Sequence, residues 1–110
     1  MKRTIERSDK SDADIAEIYD YISDDNFVAA EQFLDAVEDL YDRLAVHAEL
    51  GVRTKFRTPR LKNIRAIRIS QQFSHYLVFY LPTDTSIKIL HVFRASRDIE
   101  RLLSYESLRT

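Results

Sequence analysis

A chain of 110 residues with 45% hydrophobic side chains, one glycine and two prolines has the composition of one folded domain, neither disordered nor of low complexity. It contains no cysteine, which excludes disulfides and thiolate metal sites. The net charge of −1 conceals a split: residues 1–50 carry 14 acidic against 5 basic side chains, residues 51–110 carry 4 against 12. Such a division implies one acidic and one basic face, suited to two partners or one dipolar one, although two solvated faces would look the same. No basic head precedes an apolar stretch of signal-peptide length, and no apolar run approaches ~20 residues. The expectation is a small soluble cytoplasmic protein with no membrane partner, metal or cofactor.

In chain order, residues 2–8 suit a short strand, too polar to be central, with Thr4 and Ile5 its best strand formers. Ser11 then suits a helix cap with Asp14 as its capping-box partner. Ile15, Ile18, Tyr19 and Ile22 follow one helical face, while Asp12, Asp14, Glu17 and Asp20 fall at the start and on the outer face. The cluster 23–26 ends this helix and offers Asp25 or Asn26 as the cap of a second one. In that helix Ala30, Phe33, Leu34, Val37, Leu40, Tyr41 and Leu44 form a continuous apolar stripe. So short a connection predicts an antiparallel helical hairpin. Gly51, able to adopt a left-handed backbone, is the expected stop.

Beyond Gly51 the charge inverts. Arg53, Lys55, Arg57, Arg60, Lys62, Arg65 and Arg68 occur with no acidic residue among them, and Pro59 interrupts regular structure. The span 52–62 therefore reads as an exposed basic loop or broken edge strand. Residues 64–70 suit a strand with Ile67 and Ile69 inward. In residues 73–81, Phe73, His75, Leu77, Phe79 and Leu81 alternate with Tyr76, Val78 and Tyr80. After the loop 82–86, residues 87–94 form a strand apolar on both sides, with Ile87, Ile89, His91 and Phe93 on one face and Leu90 and Val92 on the other. Such a strand belongs inside a sheet that is covered on both sides. Ser96 suits the cap of a last helix carrying Ile99, Leu102 and Leu103.

The architecture expected is α+β: an N-terminal strand, an antiparallel helical hairpin, a three-stranded antiparallel meander and a short C-terminal helix, with the helices on one face of the sheet, in a single domain spanning 1–110.

Five stretches in this order carry a family resemblance: residues 14–22 (DIAEIYDYI), 25–33 (DNFVAAEQF), 61–67 (LKNIRAI), 76–80 (YLVFY) and 87–99 (IKILHVFRASRDI). Together they resemble the RelE/ParE superfamily of bacterial type II toxins, closest to the ParE or plasmid-stabilisation branch. The resemblance implies a growth-inhibiting toxin restrained by a cognate antitoxin whose flexible C-terminal segment, expected to be acidic, wraps it. The ParE likeness implies a non-catalytic poison of DNA gyrase. The RelE branch implies instead an endoribonuclease that cuts messenger RNA on the ribosome, and a non-toxic antitoxin-binding module is a third possibility.

Metal-free RNA cleavage needs a base near the 2′-hydroxyl, cations around the phosphorane and an acid for the leaving oxygen. Arg68 and Arg94 are the candidate catalytic cations, with Lys55 and Arg57 beside them. His75, His91 and Tyr105 are the conceivable proton carriers, although a histidine within an apolar strand more often packs than reacts. For binding antitoxin or target, the candidates are Arg53, Lys55, Arg57, Arg65, Arg68, Arg94 and Arg97. The basic stretch 53–68 suits three roles: an edge that discourages sheet pairing, a nucleic-acid contact, or a receiver for an acidic antitoxin segment, the last being favoured.

Overall fold

A computed structural model describes residues 2–95 together with Ile99 and Glu100. The chain forms β1 (Thr4–Arg7), α1 (Asp9–Asp25), α2 (Phe27–Val46), β2 (Val52–Arg53), a short 3-10 turn at Pro59–Leu61, β3 (Arg65–Arg68), β4 (Tyr76–Pro82) and β5 (Ser86–Arg94). The five strands make one sheet in the order β1-β5-β4-β3-β2. The meander β3-β4-β5 is antiparallel as expected, but β1 pairs with β5 in parallel, so the sheet is mixed.

The start of α1 differs from expectation. Ser8, not Ser11, is its cap: Ser8 Oγ accepts from the Ser11 amide at 3.0 Å and donates to the Leu90 carbonyl at 3.1 Å. A residue leaving β1 is fixed beside β5, so it can close the helix and the sheet margin together. Ser11 is instead fully buried, its hydroxyl donating to Ser8 O. Asn26 serves as the joint of the hairpin. Its amide donates to Ile22 O at the end of α1, and its side chain accepts from the Ala29 amide at the start of α2.

The hairpin packs on one sheet face. Phe33, Val37, Leu40, Tyr41 and Leu44 of α2 meet Tyr76, Val78, Tyr80, Ile87, Ile89 and Val92. Burial of each large side chain contributes about 1.5–3 kcal/mol. The opposite face is covered by the segment after β2, where Phe56, Leu61 and Ile64 pack on Leu77, Phe79, Leu90 and Phe93. This layer explains why β4 and β5 are apolar on both sides.

A bulge alters the expected facing of β5. Phe79 pairs with His91 and Tyr80 with Ile89, leaving Leu90 as the extra residue. Ile87, Ile89 and Val92 therefore contribute to the helix-side core, whereas Leu90 and Phe93 join the opposite cluster. The strict alternation placing Ile87, Ile89, His91 and Phe93 together is thus broken midway. Phe73 is likewise outside its expected strand: it lies in the turn before β4, packed edge-on against Phe33 at 5.4 Å.

Gly51 also has a different role. α2 ends at Val46, capped by His47, and no glycine has a positive φ among the described residues. What Gly51 supplies is space: a Cβ there would lie 2.8 Å from the Tyr80 hydroxyl and 2.9 Å from the Ala66 carbonyl. Of the expected last helix, Ile99 and Glu100 are helical, while Ser96, Arg97, Leu102, Leu103 and Tyr105 lie outside the described residues.

Candidate partner-binding surface

The predicted cations separate into three groups. Arg53, Arg65 and Arg68 are held by the fold: Arg53 donates to Asn63 Oδ1 at 2.9 Å, Arg65 to the Gly51 carbonyl at 2.6 Å, and Arg68 to the Ser74 carbonyl. These bonds tie the loop, β2 and the β3–β4 turn together. Lys55 and Arg57 are exposed on the covering segment, near Arg60 and Lys62, and the Arg57 amide donates to Glu100 at 2.8 Å. Arg94 stands apart at the exposed end of β5; Arg97 lies outside the described residues.

Strand register decides how these groups face. Arg68 pairs with Leu77, a member of the loop-side cluster, whereas Arg94 pairs with Tyr76, a member of the helix-side core. Side chains directly opposite one another share a face. Arg68 and Arg94 therefore approach the same end of the sheet from opposite faces.

Arg94 borders a cleft of about 250 Å³ between α1 and the end of β5. One wall is Asp14, Glu17, Ile18 and Tyr21, at helical spacing along a single face of α1; Tyr76, Val92 and Phe93 complete the floor. Asp14 is thus not on the outer face. One of its oxygens, Oδ2, lies 2.8 Å from His91 Nδ1 and accepts from the Val92 amide at 2.9 Å. The His91 ring is buried and stacks on Phe93 with centroids 4.6 Å apart. His75 is exposed, and its carbonyl accepts from the Ala95 amide. The sequence signal for this wall was present in the spacing of residues 14, 17, 18 and 21, but carboxylates at two of those positions suggested solvent.

Two buried tyrosines anchor the frame. Tyr80 accepts from the Gly51 amide at 2.8 Å and donates to the Ala48 carbonyl at 2.9 Å; burial raises its pKa, which the Gly51 bond partly offsets. Burial raises Tyr41 further, against the opposing effect of the Arg7 guanidinium 4.8 Å from its ring centre. Among the described residues no cluster of histidines and carboxylates could hold a metal, and no helix is long and apolar enough to cross a membrane.

Comparison with known proteins agrees with this frame. A family model described as the ParE toxin of the type II toxin-antitoxin system parDE matches residues 5–99. No curated protein matches. A solved structure of the chromosomal ParDE TA system from P. aeruginosa is similar with a TM-score of 0.66 and 18% identity, over 84% of this chain and 96% of that one. The structure of a YoeB dimer from Staphylococcus aureus is similar with a TM-score of 0.53 and 18% identity, over 83% of this chain and 94% of that one. At such identities the likeness establishes the shared α+β fold.

Proposed function

The chain belongs to the ParE toxin family of type II toxin-antitoxin systems, and we propose that it arrests growth by inhibiting DNA gyrase in the cytoplasm. A cognate antitoxin restrains it, through an acidic C-terminal segment that wraps the toxin and meets the exposed cations Lys55 and Arg57. Maintenance of the encoding replicon follows from that pairing, because loss of the antitoxin releases the poison.

The observation that carries the gyrase reading is the placement of His91, Arg68 and Arg94. RNA cleavage without metal needs base, acid and cations converging on one phosphate. Here His91 is buried against Asp14, the Arg68 guanidinium is turned onto the Ser74 carbonyl, and Arg94 opens toward the other sheet face. These groups suit a protein-binding surface better than a nuclease centre.

The test is induced expression in a bacterial host, followed by purified-protein assays. Growth arrest with DNA-damage signalling, intact messages and gyrase trapped on cleaved DNA is the expected result. Rapid message cleavage at codon boundaries would assign the ribosomal target instead, and unimpaired growth would leave only an antitoxin-binding module.

A further inference from the structure

Among the described residues, β5 has no strand beside it on its α1 side beyond Ile89. β1 accompanies it only from Ser86 to Ile89. Ser8 then covers the Ile89 and Leu90 carbonyls, and Asp14 takes the Val92 amide. Ladder alternation fixes the rest. The Ala95 amide donates to the His75 carbonyl, which places the bonded positions at 95 and at Phe93 opposite Leu77, whereas residues 94 and 92 point their backbone groups away from β4. The Val92 carbonyl and the Arg94 amide consequently face the side where β1 has ended, and neither has a partner among the described residues. The cleft of about 250 Å³ opens along the same margin.

Charge selects the occupant. α1 carries seven acidic residues against Lys10, and two of the seven, Asp14 and Glu17, line the cleft together with Arg94, the one cation among its described lining residues. Glu17 makes no ion pair with any described residue. Tyr21, exposed at 65%, offers an aromatic ring beside them, which a cation can cover. We infer that this margin receives an extended, basic segment of a partner protein. Its backbone pairs with the Val92 carbonyl and Arg94 amide, and an arginine or lysine side chain lies against Asp14, Glu17 and Tyr21.

An extended segment fits better than a helix, whose backbone groups are already satisfied internally and would leave the open pair unused. An acidic segment would meet the field of α1 unfavourably. The site is separate from the covering loop 54–64 and does not depend on which target the toxin attacks.

The test is an NMR titration of the full-length chain with the capped peptide acetyl-Thr-Val-Arg-Val-Thr-amide. Its counterparts carry glutamate or citrulline in place of arginine. Saturable shifts at the Val92, Arg94 and Tyr21 amides are expected with the arginine peptide, weakened about five-fold by Glu17→Gln, the share of one partly exposed ion pair. The Glu17 side chain is exposed and forms no ion pair among the described residues, and circular dichroism verifies that the variant is folded. Equal binding of the glutamate or citrulline peptide, shifts confined to residues 53–62, or no saturable shift would overturn the inference. So would concentration-dependent shifts at the same amides without peptide, which would assign the margin to a second copy of this chain.

Discussion

Asp14 Oδ2 bridges His91 Nδ1 and the Val92 amide, at 2.8 and 2.9 Å, joining α1 to β5 across 78 residues of sequence. It stands where β1 ends and β5 continues, supplying the acceptor that a longer β1 would have provided. Asp14→Ala leaves an amide and a buried imidazole unpaired, each a desolvated polar group without compensation. The expected loss is about 2–4 kcal/mol, read from the urea midpoint, against a change within about 0.5 kcal/mol for the exposed Asp20→Ala. Equal midpoints for the two variants would show that the bridge contributes nothing.

Tyr80 and Gly51 form a second such joint, and two substitutions test it from opposite directions. Tyr80→Phe removes a hydroxyl bonded to both Gly51 N and Ala48 O, with an expected cost of about 2–3 kcal/mol. Gly51→Ala keeps both partners but drives a methyl within 2.9 Å of the Ala66 carbonyl, so it costs about 1–3 kcal/mol by overpacking. In the double variant the two costs should be less than additive, because the Tyr80 hydroxyl is one of the atoms the methyl strikes. Thermal unfolding of all three proteins is the measurement.

Much of this frame was legible in the sequence, for reasons that also explain the failures. The stripe from Ala30 to Leu44 specified α2 because helical periodicity is local. The two-sided apolar run 87–94 specified an interior strand for the same reason. The Leu90 bulge was not legible, since it is a property of the pairing between β4 and β5. Asp14 read as solvent-facing because nothing near it in sequence announces Val92. Ser11 suits a cap in the sequence, and Ser8 emerges as the cap only in the fold, because a serine standing inside the first helical turn and one preceding it look alike until β1 and β5 fix the entry. Arg65 and Arg68 stand in the sequence as candidate binding cations, and only the folded turns reveal the carbonyls they hold.

Alkaline pH should weaken the fold through its buried tyrosines. Tyr41 and Tyr80 both have pKa values raised, chiefly by burial. A raised folded-state value means that the unfolded chain releases its phenolic protons first, so stability is full below pH about 10 and falls as pH rises above it. The Tyr41 hydroxyl is buried without a hydrogen-bond partner among the described residues, so Tyr41→Phe should be neutral or stabilising near pH 7. Its decline above pH about 10 should also be shallower than that of the parent protein. Urea unfolding at several alkaline pH values, with tyrosinate absorbance as a parallel readout, decides this; an unchanged slope would refute it.

The arginines supply the sharpest separation between structure and function. Arg65 donates to the Gly51 carbonyl at 2.6 Å and closes β2 against the end of the hairpin, so Arg65→Ala should cost about 1.5–3 kcal/mol and reduce activity only by lowering the folded population. Arg94 is exposed, forms no ion pair among the described residues and borders the cleft. Its replacement by alanine should therefore leave the unfolding midpoint within about 0.5 kcal/mol of the parent while abolishing growth inhibition. Measured together, stability and toxicity should move in parallel for Arg65 and separately for Arg94. A fully toxic Arg94→Ala protein would remove this side chain from the target surface and shift attention to Lys55 and Arg57 on the opposite face.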